Sequence, residues 1–205
     1  MFSFFFVEVL FRHFIFFSTN LTHCLPWPHL VLVYCAFQKF VENDNFNPNI
    51  ASTHINANFT KKLFPVFASD DPRERYALTL LAHKIYSKSM GLRIDMRNQI
   101  NNCLLEFVYE TQQHSGITEI LELYGSIING FTLPLREDHI ISLKRTLLPL
   151  LKVENYDLSL FFPELSYCIL QFLEKEPTLY EEITFRVIKY WPHKCSSKQV
   201  MFIDL

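Results

Sequence analysis

The chain has 205 residues, of which 49% are hydrophobic and 20% charged, with four glycines and a formal net charge of −2. The apolar content is ample for a buried core, while the scarcity of glycine argues against an all-β sandwich and against a glycine-rich nucleotide-binding fold. The near-neutral charge indicates no bulk binding to nucleic acid, although it leaves room for a local basic patch.

The first seventeen residues are dominated by phenylalanine, which occupies eight of these positions: 2, 4, 5, 6, 11, 14, 16 and 17. Such a segment could serve as a signal or a membrane anchor. Against this, Glu8, Arg12 and His13 interrupt it, no basic region precedes it, and it is short for a membrane span. We expect a divergent or wrongly assembled first exon, with residues 1–22 outside the fold and no membrane as a partner.

From Trp27 onward, capping residues and prolines predict consecutive helices. Asn47-Pro48 and Asp71-Pro72 place proline in a first helical turn, and Glu74 is positioned to complete a capping box with Asp71. Further predicted starts follow Ser115-Gly116, Pro134 and Pro163-Glu164, and capping-box patterns occur at Thr178-x-x-Glu181 and Ser196-x-x-Gln199.

Apolar residues recur at helical spacing inside these segments, for example at Met96, Ile100 and Leu104. Comparable helix starts at Pro26, Pro72, Ile117 and Pro163 are separated by 72 − 26 = 46, 117 − 72 = 45 and 163 − 117 = 46 residues. Two-helix units with a period of about 40–47 residues are typical of HEAT and armadillo repeats. We therefore predict an all-α helical-repeat solenoid of about four repeats over residues 23–205, rather than a bundle with evenly spaced loops.

The chemistry-bearing residues do not form a catalytic or metal-binding pattern. The five cysteines make no C-x-x-C pair, and we interpret Cys35, Cys103 and Cys168 as reduced core thiols of a cytoplasmic or nuclear protein. The pairs Cys24/His29 and His193/Cys195 lack a second pair that would complete a metal site. Since no G-x-S-x-G, H-E-x-x-H or Walker pattern occurs, we expect neither an enzyme nor a cofactor.

Several ordered segments carry a family resemblance. They are Trp27-Pro28-His29-Leu30, Asp71-Pro72-Arg73-Glu74-Arg75, Gln99-Ile100-Asn101-Asn102, Tyr109-Glu110-Thr111, Gly125 to Phe131, Gln171 to Lys175, Lys189-Tyr190-Trp191-Pro192 and Val200-Met201-Phe202. Together they resemble the B-prime regulatory subunits of protein phosphatase 2A, as an internal fragment holding roughly the second to fifth repeats. The resemblance implies a non-catalytic adaptor that joins the scaffold and catalytic subunits and recruits substrates through L-x-x-I-x-E motifs strengthened by nearby phosphates or acids.

The resemblance and the helical spacing together nominate one peptide-binding groove. Residues three or four apart share a helix face, and stacking two repeats is expected to bring four such pairs together. The nominated residues are His83, Lys84, Tyr86, Arg93, Arg97, Leu123, Ile127, Arg136 and His139.

Each part of this groove has an expected role. Leu123 and Ile127, expected to be partly exposed, would bury the aliphatic side chains of the motif. Arg93, Arg97 and His139 would pair with its acids. The family's usual lysine is missing at Thr79 and Ile140. Lys84 stands where the family usually has arginine and so loses the bidentate geometry, whereas the departures at Leu123 and Arg136 are mild.

Other functions share some of these features. A generic helical-repeat scaffold that no longer assembles with the phosphatase would have the same fold, and a gene fragment without function is a further alternative. A small all-α hydrolase would need a nucleophile and a base on facing helices, and we can nominate none. His83 could instead be an ordinary half-buried helix histidine. Arg93 and Arg97 could lie on an ordinary solvated helix face, and Leu123 and Ile127 could be ordinary core residues.

Overall fold

The computed structural model describes residues 27–111, 115–153 and 155–205. The predictions for residues 1–22, Cys24 and the start at Pro26 fall outside these ranges. The described residues form ten α-helices and no strand, which confirms the prediction of an all-α fold. The helices are Trp27–Glu42 (α1), Pro48–Ala51 (α2), Ala57–Leu63 (α3), Pro72–Lys88 (α4), Arg93–Glu106 (α5), Ile117–Asn129 (α6), Glu137–Ser142 (α7), Asn155–Lys175 (α8), Tyr180–Lys189 (α9) and Ser196–Asp204 (α10).

Short turns of other helix types extend or connect these elements. π-Helical segments continue α5 over Phe107–Thr111 and α7 over Leu143–Leu147. Segments of 3-10 helix cover Phe64–Ala68, Met90–Leu92, Leu148–Lys152 and Pro177–Leu179. The chain divides into two compact units, an N-terminal unit up to Ile100 and a C-terminal unit from Asn101.

The predicted start of α4 is confirmed, although its capping box is only half formed. The Asp71 side chain accepts a hydrogen bond from the Arg73 amide at 2.9 Å, and Pro72 occupies the first helical position. Glu74 does not reach back to Asp71; its carboxylate accepts hydrogen bonds from Tyr34 and Ser69 instead. A long-range partner has replaced the local one.

Three predicted helix starts near the C-terminus are wrong. Pro163 lies inside α8, which begins at Asn155, because a proline removes one backbone donor without necessarily ending a helix that is held by packing. Leu179, not Thr178, precedes α9, and the Thr178 hydroxyl bonds Glu176. Cys195 precedes α10, so Ser196 is its first residue rather than its cap.

In the N-terminal unit, α1 packs against α4, and the two helices begin 72 − 27 = 45 residues apart. The Tyr34 hydroxyl donates to Glu74 at 2.9 Å, and the Gln38 side-chain amide donates to the Ala77 carbonyl at 3.3 Å. These are corresponding helices of successive predicted repeats. The predicted period therefore joins elements that are in direct contact.

In the C-terminal unit, α6 packs against α8, although α8 begins 155 − 117 = 38 residues after α6 rather than the predicted 46. The Cys168 thiol donates to the Leu121 carbonyl at 3.4 Å. A Cβ added to Gly125 would lie 2.7 Å from Cδ1 of Tyr167, so the absence of a side chain allows this close approach. Gly125 is thus required by packing rather than by backbone conformation.

The cysteines follow the core prediction only in part. Burial, reinforced by nearby glutamates, raises the thiol pKa of Cys168 to about 12 and that of Cys103 to about 11, which keeps both thiols protonated. Cys35 is exposed on α1, so its assignment to the core is wrong. Its neighbour Tyr34 occupies the buried face of that helix.

Within the described ranges, no helix is both long enough and apolar enough to cross a membrane.

Candidate functional site

In the N-terminal unit, a tight connection between α4 and α5 positions the first set of predicted site residues. Helix α4 ends at Lys88, where the Ser89 amide still donates to the Ile85 carbonyl at 2.8 Å. A single 3-10 turn, Met90–Leu92, then leads directly into α5 at Arg93. The end of one helix and the start of the next are therefore close enough for their side chains to bond.

Arg93 and Arg97 both converge on Tyr86. Arg93 Nε donates to the Tyr86 carbonyl at 3.1 Å, and its guanidinium carbon lies 5.2 Å from the centre of the tyrosine ring. Arg97 Nη1 donates to the Tyr86 hydroxyl at 3.0 Å. Within the described residues neither guanidinium is paired with a carboxylate, so the cluster holds two cations in fixed positions with donors left for an acidic partner.

Lys84 and His83 lie on the same helix, outside this cluster of hydrogen bonds. Lys84 Nζ forms an ion pair with Glu42 at 2.8 Å, and both side chains are more than two-fifths exposed. His83 is exposed. Thr79, at the position of a missing family lysine, is buried, and its hydroxyl donates to the Arg75 carbonyl at 3.0 Å. The site thus has a bonded pair of arginines and a lysine already engaged by an acid of its own chain.

In the C-terminal unit, Leu123 and Ile127 are buried, with exposures of 1% and 3%. The expected partial exposure of these two side chains is wrong for the free protein. The physical reason is that α6 buries a wide apolar arc rather than a narrow stripe. Their role as peptide contacts stays a prediction, and their packing role is evident.

His139 stacks on Phe131, with ring centres 3.8 Å apart and planes inclined by 6°. The imidazole is 8% exposed, and Phe131 in turn meets Phe172 edge-on at 6.2 Å. Arg136, the residue preceding α7, is well exposed and pairs with Asp138 at 3.1 Å. Of the predicted residues in this unit, Arg136 is therefore the only one whose side chain is largely open to solvent in the described structure.

Two groups near these residues are absent from the sequence-based list. The Tyr124 hydroxyl bonds Ser142 Oγ at 2.5 Å, and Ser142 Oγ donates to Asn101 at 2.7 Å, so a polar chain ties α6 to α7 and α5. Lys175 Nζ donates to the Phe131 carbonyl at 3.1 Å, which holds α8 to the turn before α7. Helical periodicity does not predict such long-range hydrogen bonds. Phe131 nevertheless belongs to one of the segments that carry the family resemblance, Gly125 to Phe131.

In the N-terminal unit the structure brings together Tyr86, Arg93 and Arg97. The pairs Leu123/Ile127 and Arg136/His139 lie in the C-terminal unit. The convergence of all four pairs on one groove stays a prediction. Across the described residues, no three His, Cys, Asp or Glu side chains form a cluster that could hold a metal ion.

Comparisons with known proteins identify what this arrangement is similar to. The family model described as "Protein phosphatase 2A regulatory B subunit (B56 family)" matches residues 16–205. The chain is 50% identical over 178 residues to the 56 kDa regulatory subunit delta isoform of serine/threonine-protein phosphatase 2A from Oryctolagus cuniculus, covering 87% of this chain and 30% of that protein. It is 48% identical over 180 residues to the delta isoform from Saccharomyces cerevisiae, covering 88% and 24%, and 46% identical over 177 residues to the human alpha isoform, covering 86% and 36%.

These matches confirm the resemblance and the helical-repeat fold class, since the family has a HEAT-like repeat fold. The named relatives are regulatory subunits, in agreement with the expectation that the chain is not an enzyme. The chain spans about 30% of the length of the first two relatives.

Proposed function

The chain belongs to the B56 family of protein phosphatase 2A regulatory B subunits, and from this premise we propose that it is a non-catalytic regulatory chain that recruits substrates to the phosphatase. Recruitment uses short peptides of the L-x-x-I-x-E type. The proposed partners are the scaffold and catalytic subunits of phosphatase 2A on one side and the peptide-bearing substrate on the other. The proposed location is the cytoplasm, the nucleus or both.

The observation that supports this proposal best is the convergence of Arg93 and Arg97 on Tyr86. Holding two flexible cationic side chains in place lowers the conformational entropy that a ligand must remove on binding. Arginine donors in a fixed orientation suit a carboxylate or a phosphate, which can accept two parallel hydrogen bonds. The motif glutamate is the group that this cluster would receive.

The other site residues have supporting roles in the proposal. Lys84 and Arg136 would contact acids or phosphates that flank the motif, after exchanging their present partners Glu42 and Asp138. His83, exposed on α4, and His139, stacked on Phe131, would add hydrogen bonds and shape. Leu123 and Ile127, which are buried in the free protein, would set the aliphatic specificity.

The experiment that tests the proposal titrates the purified chain with a fluorescent L-x-x-I-x-E peptide and with the same peptide carrying Ala for Glu. Arg97→Ala is compared with Lys61→Ala, which removes an exposed cation from α3 in the same unit. We expect micromolar binding by the parent, weakened about tenfold or more by Arg97→Ala and by the altered peptide, because each removes one side of a charge-assisted hydrogen bond. Lys61→Ala should bind as the parent does.

Equal binding of both peptides by a helical, monomeric chain would contradict the recruiting role. A pull-down with the phosphatase scaffold and catalytic subunits then separates the remaining possibilities. Peptide binding without assembly would favour the alternative function, a helical-repeat scaffold that no longer joins the phosphatase.

A further inference from the structure

In the C-terminal unit, the side chain of Lys152 lies between two tyrosine rings. Its Nζ atom is 5.2 Å from the centre of the Tyr109 ring and 5.3 Å from the centre of the Tyr190 ring. Lys152 is exposed, and Tyr109 is 58% exposed. Two cation–π contacts therefore hold a flexible side chain in place while its charge stays open to solvent. None of these three residues belongs to the proposed peptide site.

The fold brings the three residues together from the ends of separate helical segments. Tyr109 lies in the π-helical segment Phe107–Thr111, Lys152 ends the 3-10 segment Leu148–Lys152, and Tyr190 directly follows α9. The 3-10 segment contacts both the π-helical segment and α9. Since π-helical turns frequently occur at functional sites, the setting of Tyr109 is a second feature that favours a binding role over an ordinary exposed lysine.

The ammonium group of Lys152 keeps its donors available. Across the part of the chain that the structure describes, it forms no ion pair with a carboxylate and no hydrogen bond. An ammonium has three N–H donors and no acceptor. A partner group that binds it must be an acceptor, and a carboxylate or phosphate accepts the strongest hydrogen bonds from a cation. The two rings position the lysine beforehand, which lowers the entropy lost on binding.

The neighbouring charges favour a small anionic group. Arg186 Nε donates to Glu182 at 2.9 Å, and Lys144 Nζ lies 3.6 Å from the same carboxylate, so two cations share one acid. Tyr190 contributes, after Glu182, to raising the pKa of the Arg186 guanidinium, which places Arg186 beside the tyrosine that covers Lys152. The local excess of positive charge is modest. It suits a single acidic side chain better than a polyanion such as nucleic acid.

We propose that Lys152, held between Tyr109 and Tyr190, binds one carboxylate or phosphate on a short acidic peptide segment of a partner protein. The centres of the two rings are at most about 11 Å apart. Three or four residues of an extended peptide span this distance, at about 3.3 Å per residue. The central residue supplies the anion, and its neighbours lie over the exposed tyrosine edges. The proposal does not rest on the recruitment of L-x-x-I-x-E peptides.

The experiment follows the tyrosine ring resonances of the full chain by NMR, with Tyr109→Phe and Tyr190→Phe assigning the two signals. The probes are three peptides, Gly-Ala-X-Ala-Gly, in which X is glutamate, phosphoserine or glutamine. Inorganic phosphate and an eight-nucleotide oligothymidylate are the further probes. All titrations are repeated with Arg97→Ala, so that failure of the L-x-x-I-x-E site is distinguishable from failure of this one.

The decisive variants act at Lys152 itself. Lys152→Met keeps the apolar stem and removes the charge, whereas Lys152→Arg keeps a cation that also stacks on aromatic rings. Lys194→Met removes an exposed lysine of the same unit outside the cluster and is the matched control. The resonance of Tyr124, which is buried in the same unit, reports whether each variant is folded.

We expect the glutamate and phosphoserine peptides to shift both tyrosine signals saturably, and the glutamine peptide to leave them unchanged. Lys152→Met should weaken binding about fivefold or more, because a charge-assisted hydrogen bond is lost. Lys152→Arg and Lys194→Met should bind within about twofold of the parent. The same results are expected in the Arg97→Ala background.

Unchanged binding by Lys152→Met, with the Tyr124 signal intact, would overturn the proposal. Loss of the shifts in Arg97→Ala would also overturn it, because the peptides would then bind at the other cluster. Inorganic phosphate that reproduces the shifts as strongly as the peptides would indicate an adventitious ion only. Tighter binding of the oligothymidylate than of either acidic peptide would replace the peptide partner by a nucleic acid.

Discussion

Tyr86 accepts hydrogen bonds from two arginines at once, with Arg97 on its hydroxyl at 3.0 Å and Arg93 on its carbonyl at 3.1 Å. The two contacts differ in how they can be tested. The carbonyl contact depends on the backbone, whereas the hydroxyl contact can be removed by substitution without changing the ring. Tyr86 therefore acts in this structure as a positioning residue for Arg97.

Replacing Tyr86 with phenylalanine should loosen Arg97 while leaving the fold intact. The ring that Arg93 covers is retained, and only the hydroxyl acceptor is lost. We expect peptide affinity to fall about threefold to tenfold, because a single hydrogen bond contributes about 0.5–1.5 kcal/mol. Isothermal titration with the L-x-x-I-x-E peptide measures this change.

The matched control for this variant is Tyr76→Phe, which removes an exposed hydroxyl from the same helix. It should leave peptide affinity unchanged. If both variants bind as tightly as the parent, Tyr86 does not position Arg97 for the ligand.

Replacing Glu42 with glutamine should strengthen binding of peptides that carry acids beside the motif. Glu42 neutralises Lys84 at 2.8 Å, so its removal leaves that ammonium available to the ligand. We expect a gain of about twofold to threefold, in line with the small energy of exposed ion pairs, and it should vanish at high salt. A motif peptide without flanking acids is the control, and equal gains for both peptides would argue against a role for Lys84.

Replacing Glu74 with alanine should destabilise the N-terminal unit far more than Glu42→Ala does. Glu74 accepts a hydrogen bond from the buried Tyr34, whose phenol pKa is raised above its ordinary value by burial and by the nearby carboxylate. Loss of this acceptor should cost about 1–3 kcal/mol, against at most about 1 kcal/mol for the exposed Glu42–Lys84 pair. Urea unfolding, monitored by circular dichroism, measures the free energy of unfolding of both variants. Comparable losses of stability in the two variants would contradict this ranking.

Adding a methyl group at Gly125 should destabilise the α6–α8 contact. Its Cβ would lie 2.7 and 2.9 Å from two carbons of the Tyr167 ring. Overpacking costs about 1–3 kcal/mol, and the better helix propensity of alanine offsets about 1 kcal/mol of this. Thermal unfolding should therefore show a net loss for Gly125→Ala.

Two comparisons sharpen this prediction. Gly91→Ala adds a methyl group with no heavy atom within 4 Å and should be close to neutral. In the background of Tyr167→Ala the penalty at position 125 should disappear, as contacting residues are energetically coupled. A penalty that persists there would locate the strain elsewhere.

The helix starts show how far local sequence determines this fold. Asp71-Pro72 and Asn47-Pro48 start helices as predicted, because the capping bond and the fixed proline angle are local properties. Pro163 failed as a start because α8 continues through it from Asn155, with Leu158 and Phe161 buried upstream. Burial of those side chains outweighs the loss of one backbone hydrogen bond, and that balance depends on partners distant in sequence.

In the candidate site, too, local features were predictable from the sequence and long-range contacts were not. The spacing of Arg93 and Arg97 at the start of a helix was predictable, and the structure places both on Tyr86. The burial of Leu123 and Ile127 was not predictable, because the helical spacing of apolar residues does not reveal how many neighbouring helices cover them. The stack of His139 on Phe131 joins two residues eight apart through a turn, which a helical pattern does not describe.

The most direct test of the central claim is a double-mutant cycle between Arg97 and the peptide glutamate. Affinities are measured for the parent and Arg97→Ala, each with the glutamate and the alanine peptide. If Arg97 binds the motif acid, the two changes will not add, and their coupling will be about 1 kcal/mol or more. Additive losses, with no coupling, would contradict the assignment of the Arg93–Tyr86–Arg97 cluster as the receptor for the acidic side chain.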